Sequence, residues 1–172
     1  MKIQEGIEFF EPDDTFIKWL VEHAAGRFIV DVGCGTGHIT QKLTNAGAKA
    51  FGIDPYFDPA RAIEINNEQR LLGKPTINFL PMEVESCGRL LNGMCTATGP
   101  GIMLLFARPC HLSNSFVEAG IDLLPAGVES LYITAPMNLE EFDDLGKYTS
   151  KIQMLDHRGC STDYECVYSV VK

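Results

Sequence analysis

Apolar residues nowhere run longer than Ile102 to Ala107, far short of the roughly 18 that a membrane-spanning helix needs. No membrane association is expected. No cluster of lysine and arginine offsets the formal charge of −9, which comes from 14 Lys plus Arg against 23 Asp plus Glu. A surface that follows a phosphate backbone needs concentrated positive charge, so nucleic acid is an unlikely partner on composition. No CxxC pair stands among Cys34, Cys87, Cys95, Cys110, Cys160 and Cys166. The one metal-like spacing, His157 with Cys160 and Cys166, lacks a clear fourth ligand, and no metal site is expected. A chain this large and apolar does not need disulfide staples, so the thiols are read as reduced. The start, MKIQEGIEFFEPDD, has neither the basic head nor the apolar stretch of a secretory signal, and a cytoplasmic protein is expected. Internal repeats, low-complexity tracts and linkers are lacking too. With 172 residues, the chain is read as one domain, 1–172, with residues 1–26 as an amino-terminal helical cover segment.

What is present is an alternation of short β-branched runs with capped helical stretches. Phe16, Trp19, Leu20 and His23 have helical spacing after Asp13-Asp14, and that helix ends near Gly26. Strands are expected at 27–32, 49–53, 76–80, 102–107 and 129–134. Helices are expected at 36–46, from an Asp58 N-cap and Pro59 to Gly73, weakly at 84–91, from Ser115 to Leu124, and from Asn138. Beyond Ser150, two extended runs, 151–156 and 164–171, flank a glycine-containing turn and form a hairpin. Right-handed crossovers then give an α/β fold: a three-layer α/β/α sandwich around a mostly parallel seven-stranded sheet with an antiparallel C-terminal hairpin strand. In such sheets, ligands sit beyond the carboxyl ends of the strands.

The loop after the first strand reads Asp31-Val32-Gly33-Cys34-Gly35-Thr36-Gly37. Its glycines permit a tight turn and bring backbone N–H groups toward a ligand without Cβ obstruction. Cys34 is a small packing residue there. The dinucleotide fingerprint wants a sixth-position glycine, but His38 occupies it, which counts against a nicotinamide-dependent oxidoreductase. Asp54, at the end of the second strand, can accept from both hydroxyls of a ribose or serve as a turn former before Pro55. Asp31 can serve a ligand or satisfy loop amides. After the third strand, Met82 offers a thioether for a flat ring, and Glu83 is either a ligand contact or a helix cap.

With DVGCGTG, the GID that ends at Asp54, and Glu83, the sequence resembles the class I S-adenosylmethionine-dependent methyltransferases. The resemblance implies S-adenosylmethionine as cofactor and S-adenosylhomocysteine as product. It places Gly33, Gly35 and Gly37 under the methionine portion and Asp31 at its amino group. Asp54 would hold the ribose, and Glu83 with Met82 would meet the adenine. The lead-in Phe10-Glu11-Pro12-Asp13-Asp14-Thr15-Phe16 is similar to that of nitrogen methyltransferases and makes Thr15 a candidate for the cofactor carboxylate, beside an ordinary role in a helix start.

Nitrogen methyltransferases of that kind carry Asn- or Asp-Pro-Pro-aromatic after the fourth strand. This chain has Ala107-Arg108-Pro109-Cys110-His111. Arg108 can grip a carboxylate or phosphate, and His111 can accept a proton at neutral pH. A surface ion pair and a helix cap are the plainer roles for the same two residues. The expected function is methyl transfer to a small molecule or a protein side chain. The alternative is a non-catalytic protein that binds S-adenosylmethionine and has lost its acceptor site.

Overall fold

The computed structural model describes residues 14–83, 86–91, 93, 102–107, 128–136, 152–156 and 165–170. Three helices and seven strands are defined among them: α1 (Asp14–Ala24), β1 (Phe28–Val32), α2 (His38–Asn45), β2 (Lys49–Ile53), α3 (Pro59–Leu71), β3 (Asn78–Leu80), β4 (Ile102–Ala107), β5 (Val128–Pro136), β6 (Ile152–Asp156) and β7 (Glu165–Val170). The expected helices after Ser115 and Asn138 lie outside the described residues.

The strands pair in the order β3-β2-β1-β4-β5-β7-β6. Pairing is parallel from β3 through β5, and β7 runs antiparallel between β5 and β6. β1 is central, with Asp31 level with Gly52 on one side and Leu105 on the other. Sequence order reverses at β1, where the chain winds outward through β2 and β3 and then returns to β4. Such a reversal opens a crevice at the carboxyl ends of the strands.

A strand buried on both faces needs no polar alternation, and Ile29, Val30, Asp31 and Val32 are all buried. Ile29 packs with Ile17, Leu20 and Ala24 of α1 and Leu43 of α2. Asp31, two residues further along β1, points to that same face. Thr40 lies three residues before Leu43, on the same side of α2. The helix runs back along the strand, so Leu43 meets Ile29 while Thr40 meets Asp31.

Of the boundaries that differ from the sequence expectation, three do so for identifiable reasons. α2 begins at His38 rather than Thr36, because Gly35 (φ +53°) and Gly37 (φ +78°) are left-handed and a right-handed helix cannot start before them. β3 begins at Asn78 rather than Thr76, because Asn66 of α3 takes both main-chain groups of Ile77. Its side-chain amide donates to Ile77 O at 2.9 Å, and its oxygen accepts from Ile77 N at 2.7 Å. β5 extends to Pro136, paired throughout its far end with β7. α3 starts as its sequence indicates: the Asp58 carboxylate accepts from Ala60 N at 2.9 Å and Pro59 is the first helical residue.

Candidate functional site

The carboxyl ends of β1, β2 and β3 are neighbours in the sheet, and each leads into an acid: Asp31, Asp54 and Glu83. The fold thus brings to neighbouring strand ends three residues separated by as many as 52 positions in the sequence.

Asp31 is buried, at 1% exposure. Its Oδ2 accepts from the Thr40 hydroxyl at 2.6 Å, whereas Oδ1 is buried with no hydrogen-bond partner. A buried carboxylate oxygen without a donor is costly, and in a native site it marks a place for a missing group. Desolvation pushes the Asp31 carboxyl up to about 6; the hydrogen bonds from Thr40 oppose this, and the nearby Asp54 charge adds to it.

Asp54 is half-buried and ties two segments together. Its Oδ2 accepts from Gly35 N at 3.0 Å and its Oδ1 from Tyr56 N at 2.8 Å, the second bond closing a turn over Pro55. Each oxygen keeps a further lone pair for a ligand hydroxyl. Asp54 is therefore a turn former and also the clasp that fixes the glycine loop to the exit of β2.

Four of the loop amides are taken up within the protein. Gly33 N and Cys34 N both donate to Ile53 O, at 2.8 and 3.1 Å, Gly35 N goes to Asp54, and Gly37 N goes to Cys34 O at 2.8 Å. The glycines are required instead for backbone shape and close approach. A Cβ on Gly37 would lie 2.6 Å from the Phe79 ring and 3.2 Å from Ile65 of α3. One on Gly52 would lie 2.7 Å from Cys34 Sγ. Cys34 is accordingly a packing residue wedged over β2, and burial, first of all, pushes its thiol far above the ordinary range.

Met82 is half-buried and Glu83 exposed. The main-chain carbonyl of Glu83, not its carboxylate, opens the following turn, accepting from Ser86 N at 3.0 Å and from the Cys87 thiol at 3.4 Å. Phe57, which follows the Asp54 turn, stacks on Phe79 with ring centroids 4.4 Å apart and 7° between planes. Tyr56 beside it is 86% exposed, at the lip of the same turn. Thr15 stands in the first turn of α1. Arg108 and His111 lie outside the described residues, as do His157 and Cys160.

Thr40 is the polar residue that the sequence reading missed. The signal for it was a hydroxyl in register with Leu43 on the buried face of α2, nine residues after Asp31. Among the described residues, no group of three His, Cys, Asp or Glu side chains is placed to hold a metal ion, and no helix is long and apolar enough to cross a membrane.

The site's geometry finds counterparts in known proteins. A ubiquinone biosynthesis O-methyltransferase of Acinetobacter baylyi is 31% identical over 70 residues, covering 39% of this chain and 29% of that protein. A tRNA U34 carboxymethyltransferase of Pseudomonas fluorescens is 33% identical over 103 residues, covering 55% of this chain and 31% of that protein. The matches therefore span about a third of the length of these curated relatives. Among solved structures, the magnesium protoporphyrin IX methyltransferase of Synechocystis with bound S-adenosylmethionine superposes with a TM-score of 0.61. It is 18% identical and covers 92% of this chain and 77% of that one. A 23S rRNA methyltransferase superposes with a TM-score of 0.57 at 15% identity, covering 96% and 70%.

The chain has the fold of the class I S-adenosylmethionine-dependent methyltransferases, and the relatives it matches in sequence are methyltransferases. No family profile matches it. Of these proteins, one is named for tRNA and one for 23S rRNA, whereas the sequence expectation for this chain, from net charge and a missing motif, was against nucleic acid. Within this fold, the acid of β1 stands in the least solvated place of the site and the acid of β2 in the most fully hydrogen-bonded one.

Proposed function

We propose that this chain binds S-adenosylmethionine at the carboxyl ends of β1, β2 and β3 and transfers its methyl group to a small molecule or a protein side chain. The unpartnered Oδ1 of buried Asp31 carries the reading, because it needs a cationic or N–H donor, and the ligand's amino group is one. Asp54, with free lone pairs on both oxygens, would accept from the ribose hydroxyls, and Met82 and Glu83 would flank the adenine. Gly33, Cys34, Gly35 and Gly37 would form the floor under the methionine portion, with Thr15 at its carboxylate. The ligand supplies a methyl group on a positive sulfur that is already a good leaving group. The chain then mainly has to place the acceptor in line. Arg108 and His111, from the segment after β4, are the proposed acceptor-side residues, the first as an anion grip and the second as a base.

The proposed domain is 1–172, with 1–26 as cover and a three-layer sandwich around the seven-stranded sheet, supported by the strand pairing. A cytoplasmic setting is in keeping with the buried thiol of Cys34, which stands in no disulfide. A second acceptor class, RNA, is favoured by the names of the relatives rather than by this chain's charge.

Calorimetric titration with S-adenosylhomocysteine and with NAD tests the reading. Binding of the first without the second is expected. Tight NAD binding with no response to S-adenosylhomocysteine would overturn it.

A further inference from the structure

We infer that Thr40 is a positioning residue for the ligand's ammonium group: its hydroxyl engages one oxygen of Asp31 and so leaves the other turned to the ligand. This rests on the functional reading above and extends it to a residue that touches no ligand.

The geometry carries the inference. A threonine hydroxyl inside a helix ordinarily bonds back to the carbonyl four residues earlier, as Thr44 does to Thr40 O at 3.0 Å. Thr40, fully buried, instead donates across to Asp31 Oδ2 at 2.6 Å. A hydroxyl has one proton, so one carboxylate oxygen is held and the other is spared. A positive or two-proton donor at this place would compete with the ligand for Asp31, and a valine would leave the carboxylate with the main-chain bond from residue 40 but without the hydroxyl. The hydroxyl fixes the orientation without adding a charge.

The titratable groups on the elements around Asp31 are Cys34 in the glycine loop, Lys49 at the start of β2 and Asp54 after it, His38 and Lys42 on α2, and Asp14, Lys18, Glu22 and His23 on α1. The carboxylate of Asp54 raises Asp31, and β4 alongside brings Leu104, Leu105 and Phe106, none of which titrates. Thr40 opposes both burial and Asp54 by favouring the ionised form of Asp31.

The experiment compares wild type, Thr40→Val and Thr40→Ser across pH, with S-adenosylhomocysteine as probe and 5′-methylthioadenosine, which lacks the amino-acid end, as control. Wild-type affinity for S-adenosylhomocysteine should rise through about pH 6, where Asp31 ionises. Thr40→Val should move that rise up by about one pH unit, a loss of roughly fivefold at pH 6 that approaches tenfold at lower pH and vanishes toward pH 8.5. Thr40→Ser should restore the wild-type curve, and binding of 5′-methylthioadenosine should be unchanged in both. Carbon NMR titration of Asp31 in the unliganded variants should show the same displacement, and Thr40→Ala serves if the valine variant does not fold. An equal loss at all pH values for both probes means a merely structural threonine and overturns the inference, as does an unshifted curve. Wild type that binds neither probe refutes the functional reading itself, and the inference with it.

Discussion

Asp31 is a carboxylate placed where water does not reach, and its titration should be visible in the stability of the protein. Its folded value is raised to about 6, above the ordinary carboxylate value. Below about pH 4 the group is protonated in both the folded and unfolded chain and carries no penalty. Between there and pH 6 the unfolded chain gives up its proton first, so stability falls as pH rises and stays lower above 6. The loss is on the order of 3 kcal/mol from one buried group. Asp31→Asn keeps an oxygen for the Thr40 hydroxyl and has no charge to desolvate. It should therefore be more stable than wild type at pH 7.5, with the difference vanishing by about pH 4, while losing affinity for S-adenosylhomocysteine. Urea unfolding at the two pH values checks the first part; a difference independent of pH would mean that Asp31 is ionised at no cost. Asp54 acts differently, because its oxygens already hold Gly35 N and Tyr56 N. Asp54→Ala removes an acceptor from two amides as well as from the ribose, and should weaken cofactor binding by roughly 1 to 3 kcal/mol. Amide exchange at Gly35 should accelerate in the same variant. Unchanged affinity in a folded protein would reduce Asp54 to its turn.

At the scale of elements, the glycine loop owes its shape to its neighbours. Gly37 needs a positive φ, and its α-carbon lies against Phe79 of β3 and Ile65 of α3, so α2, α3 and β3 meet at one atom. Gly37→Ala should cost about 1–2 kcal/mol for the left-handed backbone and a further 1–3 kcal/mol for overpacking. Thermal unfolding would show it, and a loss under 1 kcal/mol would mean that the Phe79 ring can turn aside. Asn66 stitches α3 to β3 by mimicking a strand neighbour for Ile77. Asn66→Ala strands a buried-side donor and acceptor together and should destabilise by roughly 1 to 3 kcal/mol. Because β3 ends at the turn before Met82 and Glu83, the same variant should also lower cofactor affinity. Asn66→Asp, which can accept from Ile77 N but cannot donate to Ile77 O, should fall between the two.

At the scale of the whole molecule, the open question is what approaches the methyl group. Net charge of −9 argues against a phosphate backbone, and RNA stands as the second proposed acceptor class. Labelled S-adenosylmethionine offered with metabolite, protein and RNA fractions in parallel distinguishes them. Label is expected in the metabolite or protein fraction. Label in RNA would transfer the assignment to the second acceptor class, and label in none, with the cofactor bound, would favour a binding protein over an enzyme. Arg108→Ala and His111→Ala should lower transfer without altering S-adenosylhomocysteine affinity, since both are proposed to act on the acceptor.

The sequence by itself determined the alternation of strands and helices, the glycine loop and the two acids after β1 and β2. Each depends on chemistry that acts over a few residues: apolar periodicity, the Asp58 cap followed by Pro59, and the φ freedom of glycine. Those local rules placed β2 and β4 at 49–53 and 102–107, as found. Tertiary structure alone decided which partner each polar group would have. Gly35 and Asp54 are nineteen residues apart and Thr40 and Asp31 nine, and nothing in their spacing says which lone pair is used and which is left over. The start of β3 was settled in the same way, by an asparagine eleven residues earlier. Hydrogen-bond satisfaction in a buried site is a property of the assembled face, because a donor must find its acceptor among whatever the packing brings within 3 Å.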